Sequence, residues 1–317
     1  MPLAALSAFG LGDVADEPVQ VARGAQGFIW KVTTATGTYA VKQLQPWVEV
    51  EPMPFDVRVQ LAARDAGIPL PAPVLAPSGQ AVIDRMRVYE WVDVGDQLPA
   101  PVPLDRAAEA GDLLGRIHRL AVPPVGETDE WYFVAPTEED WRRLMADARA
   151  RDSASRWLDV IEGEIGFLVE SGERFAFPRA GPAITCHADF CPMNVLPSAQ
   201  GGRLVVLDWE NAGPLAADAE VAAALLDWNT TPDGEVDLDG VDALLAAYGE
   251  PIAITERSFA MWAVTALNYL RVLVENLVYD FEGSDPAFAE ATLPLLEPER
   301  LRARLRAVDT LVITLER

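Results

Sequence analysis

This 317-residue sequence predicts an α+β fold in two lobes, a small β-rich N-terminal lobe and a larger, mainly helical C-terminal one. Three observations carry the prediction. Val19 to Gln43 is rich in β-branched and aromatic residues between Gly-bearing turns, the pattern of a strand meander. A Pro-rich run, Gly95-Asp96-Gln97-Leu98-Pro99-Ala100-Pro101-Val102-Pro103, then interrupts it. Beyond that run apolar residues recur at helical spacing, beginning with Ala107, Ala110, Leu113, Leu114, Ile117 and Leu120. The division expected is residues 1–93, a boundary at 94–103, and residues 104–317.

In the first lobe, V-Q-V-A, F-I-W-K-V-T-T and T-Y-A-V-K-Q-L read as three strands, with turns at Gly24-Ala25-Gln26-Gly27 and Ala35-Thr36-Gly37. Phe55 to Ala66 is a helix candidate, closed by Gly67 with Pro69 and Pro71 beyond it. Strands resume from Pro73 to Asp93. In the second lobe Leu104 to Leu120 is an amphipathic helix, with His118 near its end as a structural hydrogen-bonder. Glu127 to Trp141 is an acidic, aromatic insertion, either a surface loop or a wall on the substrate side. Ser153 to Glu170 is a further helix. A helix following Asp218 ends at Asp227-Trp228-Asn229, within reach of a substrate cleft. Arg257 to Phe281 is a long helix on which Asn268, Arg271 and Glu275 share one face. That face is either a solvated stripe or the polar side of a substrate pocket, with Trp262 and Tyr269 beside it. The last helix, Glu297 to Arg317, is Arg-rich and expected to pack on the outside of the lobe.

Composition narrows the functional classes. Hydrophobic residues at 50% and charged ones at 23% describe an ordinary soluble globular chain. A net charge of −24, from 49 acidic against 25 basic residues, argues against a nucleic-acid partner, which needs clustered Lys and Arg. No basic residue precedes Arg23, so no secretory signal is expected at the N-terminus. The apolar stretch Phe259 to Val278 is broken by Asn268, Arg271, Glu275 and Asn276, which argues against a membrane span; a cytoplasmic protein is expected. Cys186 and Cys191 fit neither a zinc framework nor a disulfide scaffold. From Leu204 to Glu256 there are twelve Asp or Glu and no Lys or Arg, which favours a cationic small-molecule partner.

The densest chemistry lies between Ile184 and Asp218. His187-Ala188-Asp189 is followed five residues after the aspartate by Asn194, and Asp208 ends the apolar run Leu204-Val205-Val206-Leu207. Phosphoryl transfer requires a group that orients a hydroxyl and hard oxygen ligands that hold Mg²⁺ on nucleotide phosphates. Asp189 suits the first task. Asn194 and Asp208 suit the second.

The pattern H-x-D-x-x-x-x-N, then a short strand ending in D-W-E (Asp208-Trp209-Glu210), resembles the aminoglycoside phosphotransferase and choline kinase family of small-molecule kinases. The resemblance implies a protein-kinase-like fold and transfer of the γ-phosphoryl of ATP or GTP, with Mg²⁺, to a hydroxyl. Ala188 stands where the family usually has Gly, so the backbone there must tolerate a Cβ. His187 and Asp218 would be structural residues of the site. Gly24, Ala25, Gln26 and Gly27 would cover the phosphates, Lys42 would reach them, and the backbone of Glu90 to Val92 would meet the base. Asp56 falls where the family has the acid that holds the lysine, with Glu49 and Glu51 as alternatives. Asp227, Trp228, Asn268 and Glu275 are candidates for the acceptor side. The acceptor expected is an aminoglycoside-like or other amine-bearing antibiotic, which would make the protein a resistance enzyme. Choline or another amino-alcohol, a sugar or a macrolide are the alternatives, and a catalytically silent nucleotide-binding regulator is the alternative outside enzymes. Oligomeric state stays open.

Overall fold

The computed structural model describes residues 4–24, 26–46, 48–153, 155–177, 182–199, 201–281 and 283–315. Strands β1 (Val19–Gly24), β2 (Gly27–Thr34), β3 (Gly37–Leu44), β4 (Pro73–Val74) and β5 (Met86–Glu90) form one antiparallel sheet in the order β1-β2-β3-β5-β4. Alternation along the strands splits the sheet's two faces. Val32, Val41, Met86 and Val88 are buried on one face with Leu6, Phe9 and Leu11 from the N-terminal segment, where helix α1 (Ala4–Ser7) lies. Lys42 pairs in register with Ile29 on β2 and with Arg87 on β5, so these side chains share the opposite face. Helix α2 (Phe55–Asp65) follows β3 and ends one residue earlier than the Gly67 stop predicts.

The helical lobe contains α3 (Leu104–His118), α4 (Glu138–Ala150), α5 (Arg156–Arg174), α6 (Ala217–Asn229), α7 (Leu238–Tyr248), α8 (Ala260–Val278), α9 (Pro286–Thr292) and α10 (Pro298–Leu315). Trp141, Phe175, Trp228 and Phe259 are fully buried in the large core these helices share. α3 and α7 approach so closely that a Cβ at Gly115 would lie 2.3 Å from the Tyr248 carbonyl oxygen. This contact sets His118, at the end of α3, against Tyr248. The acidic insertion becomes a capped helix start, because Thr137 and Asp140 form a reciprocal capping box on α4. The Pro-rich run is tied to the helical part through Gly95 N–H to the Pro197 carbonyl (2.7 Å) and Val102 N–H to the Trp228 carbonyl (3.0 Å). Among the described residues no helix is long and apolar enough to cross a membrane, and the face of α8 that carries Leu267, Leu270 and Leu273 lies in the core.

Two short antiparallel pairs lie in this lobe. β6 (Ile184–Cys186) pairs with β9 (Gly213–Leu215), and β7 (Val195–Pro197) pairs with β8 (Leu204–Val206). Between them they hold the loop 187–194 and the turn after β8, where Asp208 stands.

Candidate active site

The loop 187–194 is pinned from several sides. His187 is fully buried; its Nε2 lies 2.9 Å from the Leu207 carbonyl, and its ring meets Trp209 edge-on at 4.8 Å. The carboxylate of Glu220, on α6, accepts the backbone N–H of His187 at 3.3 Å and that of Ala188. The same carboxylate meets His118 Nε2 at 2.6 Å, and His118 Nδ1 lies 2.9 Å from the Tyr248 hydroxyl. Burial alone would raise the Glu220 carboxyl. The hydrogen bond and charge of His118, with His187 and the Ala188 N–H, reverse this and hold it below its ordinary value. Beneath the loop, Trp228 stacks on Phe190 and donates to its carbonyl at 3.2 Å.

Ala188 has φ +63°, in the left-handed region where a Cβ costs roughly 1–2 kcal/mol. The Glu220 bond to its N–H holds it there. Ala188→Gly should therefore leave stability unchanged or raise it by up to about 1 kcal/mol, since glycine's greater unfolded-state freedom offsets part of the relief. Denaturant midpoints decide this; a loss larger than about 1 kcal/mol would mean that the Cβ makes a contact the loop needs.

The loop and the turn after β8 bring Asp189, Asn194 and Asp208 near one another. Asn194 Nδ2 donates to the Asp189 carbonyl at 3.1 Å, which leaves its Oδ1 as the amide atom available to a cation. Asp208 is exposed and lines the same cleft as Asn194. Two hard oxygen donors lining one cleft fit Mg²⁺, which takes carboxylate together with phosphate and water oxygens. Burial pushes the Asp189 carboxyl above its usual range; His187 pulls it back, and Asp208 and Asp227 push it further up. A raised carboxylate accepts a hydroxyl proton more readily.

The cleft between the sheet and this loop measures about 500 Å³ and is lined by Ile29, Ala40, Lys42, Glu90, Val92 and Leu207, together with Asn194 and Asp208. Lys42 lies there as expected, but its acid is Glu210 of the D-W-E motif, not Asp56. Asp56 instead pairs with Arg87 at 2.6 Å, in an equally buried bond. The reason is reach. Register places Arg87 beside Lys42, and the long guanidinium spans to the short Asp56 side chain, while Glu210 approaches Lys42 from across the cleft. Burial raises the Glu210 carboxyl, Lys42 opposes this, and Asp208 adds to the rise. Gly24 and Gly27 pair to close the β1–β2 hairpin, and Arg23 beside them lines the cleft. A Cβ at Gly27 would lie 2.2 Å from the Gln43 carbonyl oxygen, so strand approach explains that glycine. Gln26 accepts the Gln45 N–H through its carbonyl, and Ala25 lies outside the described residues.

On the other side of the loop lies a second cleft of about 300 Å³, whose lining includes Asp189, Asp227, Trp262, Thr265, Tyr269 and Arg304. Met193 lines both clefts, so they meet at the loop. Three expectations for this side are corrected. Trp228 points into the core rather than the cleft. Asn268 is buried and donates to the carbonyls of Trp131 and Val134, both at 2.9 Å, because the insertion folds over α8 and its carbonyls need donors. Glu275 pairs with Arg271 at 2.9 Å and does not line the cleft. Asp218 accepts the Ser258 hydroxyl at 2.7 Å. α10 is not merely external, since Arg300 and Arg304 reach the cleft. Glu210, Glu220 and Arg304 are the site residues that sequence reasoning missed. Glu210 was visible as part of D-W-E; the other two carry no local signal.

A family model described as the phosphotransferase enzyme family (APH) matches residues 19–254. The chain is 27% identical over 306 residues to the homoserine kinase of Methylobacillus glycogenes, covering 91% of this chain and 90% of that protein. It is 27% identical over 301 residues to the homoserine kinase of Xanthobacter autotrophicus, covering 92% and 88%. Among solved structures, a spectinomycin phosphotransferase with bound ADP and spectinomycin aligns with a TM-score of 0.70 at 14% identity, covering 98% of this chain and 99% of that one. Choline kinase from Cryptosporidium parvum aligns with a TM-score of 0.55 at 10% identity, covering 99% of each chain. At such identities the structural likeness speaks for the shared fold. The chain belongs to the phosphotransferase enzyme family. It is a small-molecule kinase of protein-kinase-like fold, with a hydroxyl as the accepting group.

Proposed function

We propose that the protein transfers the γ-phosphoryl group of ATP to the side-chain hydroxyl of a small amino acid of the homoserine class. The observation that carries the reading is the meeting of two clefts at one loop, with Asn194 and Asp208 in the larger and Asp189 in the smaller. The curated relatives, similar over about nine-tenths of the chain, support homoserine as the acceptor to test first. A 300 Å³ acceptor cleft lies at the low end of the range for ligand pockets, which suits a molecule of that size better than a multi-ring antibiotic.

In this reading the apolar end of the larger cleft, with the backbone of Glu90 to Val92, takes the adenine. Lys42 contacts the phosphates. Asn194 Oδ1 and the Asp208 carboxylate would hold Mg²⁺, which when bound offsets charge on the phosphate oxygens. Asp189 orients the acceptor hydroxyl and takes its proton as the oxygen bonds to the γ-phosphorus and the bond to the ADP oxygen breaks. The Glu220–His118 pair keeps the loop, and thus Asp189, in place.

ADP release measured over homoserine, choline, ethanolamine, sugars and aminoglycosides tests the reading. Homoserine should give the highest kcat/KM. Turnover of aminoglycosides with none of homoserine would overturn the acceptor assignment.

Lys42→Ala should raise the KM for ATP by about 10- to 150-fold, with little change in the acceptor's KM, because charge-assisted bonds contribute roughly 1.5–3 kcal/mol. It also leaves Glu210 buried and unpaired, so the double variant with Glu210→Gln should recover stability but not ATP affinity. Equal effects on both substrates would make Lys42 a structural residue.

A further inference from the structure

The acceptor cleft holds a pair of opposite charges that the catalytic chemistry does not use. Arg304 on α10 is ion-paired with Asp227 on α6, and Trp262 Nε1 on α8 donates to the same Asp227 oxygen at 3.0 Å. The Arg304 guanidinium lies over the Trp262 ring, 5.2 Å from its centroid. Both charged residues line the cleft that Asp189 enters. Two further polar atoms there are buried without a partner among the described residues, Arg304 Nε and Thr265 Oγ1. A buried donor without an acceptor is costly, and a guanidinium with an unused N–H matches the planar fork of a carboxylate. The cleft therefore offers an anion site next to a carboxylate.

The cleft's acids point the same way. Among the described residues lining it, the acids are Asp189, Glu220 and Asp227. Glu220 is engaged by His118 and the loop N–H groups, and Asp189 faces the hydroxyl. Asp227 is raised by burial and lowered by Arg304 and Trp262, so it is already shared with a cation. A polycation would find one such acid and, opposite it, Arg300 and Arg304. A zwitterion would find a complement for each of its charges.

We infer that Arg304 and Asp227 set acceptor specificity, Arg304 with Thr265 taking the carboxylate of an α-amino acid and Asp227 its ammonium, while the far-end hydroxyl reaches Asp189. The inference rests on the reading of Asp189 as the hydroxyl-orienting residue and names what the rest of the cleft recognises. It also accounts for the arginines of α10 entering a cleft bordered by the acid-rich stretch.

The test compares three acceptors that share a primary hydroxyl: homoserine, 3-aminopropan-1-ol, which lacks the carboxylate, and 4-hydroxybutanoate, which lacks the ammonium. The wild-type enzyme should lose about 10- to 150-fold in kcat/KM for each truncated acceptor. In R304Q the homoserine-to-aminopropanol ratio should collapse toward one, and R304K should restore part of it; in D227N the homoserine-to-hydroxybutanoate ratio should collapse instead. The KM for ATP should stay near the wild-type value in both. Equal wild-type rates with homoserine and aminopropanol, or an R304Q loss that is the same for both, would overturn the inference while leaving the kinase reading intact. Product from choline or an aminoglycoside, with none from the three, would overturn the acceptor reading itself along with the inference. Should R304Q fail to fold, the wild-type comparison of the three acceptors decides alone.

Discussion

Replacing Asp189 by Asn is expected to lower turnover by roughly 10²–10⁴-fold while leaving folding and nucleotide affinity near the parental values. The exchange conserves size and removes the charge. The bond from Asn194 uses the Asp189 backbone carbonyl and the Glu220 bonds use the N–H groups of 187 and 188, while the Cys191 thiol, 3.8 Å from Asp189 Oδ1, can still donate to the amide oxygen of an asparagine. Among the described residues, Asp189 is also the acid in the acceptor cleft without a basic side chain bonded to it, since Glu220 is hydrogen-bonded to His118 and Asp227 is paired with Arg304. Steady-state kinetics with a calorimetric ATP titration would measure both halves. More than half the parental turnover would remove Asp189 from its role.

Glu220→Ala should have the largest effect on stability. The substitution leaves the His118 imidazole and two backbone N–H groups in a region closed to water. Removing one partner of a buried pair typically costs about 3–5 kcal/mol, a large share of a total near 5–15. For a chain of this size that corresponds to a fall in Tm on the order of ten degrees. pH dependence gives a second readout. The Glu220 carboxyl is held below its ordinary 4.5, so its contribution is fully present above that pH and is lost as pH falls through the folded value. Glu220→Gln should therefore flatten the acid limb of the stability curve. A Tm within about two degrees of the parent for the Ala variant would show that the network carries little.

The parts of this protein that were legible in sequence are those whose signal is local. Asp189, Asn194 and Asp208 fall within one short stretch whose strands fix their geometry. The meander was visible because β-branched and aromatic residues cluster between Gly-bearing turns in Val19 to Gln43. Partners distant in the chain were not legible. Lys42 finds Glu210 168 residues away, His118 finds Glu220 at 102, and Asp227 finds Arg304 at 77. No composition or period encodes those meetings. Asn268 misled for a related reason: on a helical wheel it sits with Arg271 and Glu275, and only the fold of the insertion reveals the two carbonyls it serves. The acid-rich stretch pointed toward a cation, but the arginines that alter that balance come from the last helix of the chain.

The most direct measurement is the mass of the acceptor after incubation with ATP and Mg²⁺. With homoserine the wild-type protein should yield a phosphorylated acceptor in step with ADP, and Asp189→Asn should yield almost none. ADP formed without any phosphorylated acceptor, across homoserine, choline, ethanolamine and aminoglycosides alike, would contradict the account.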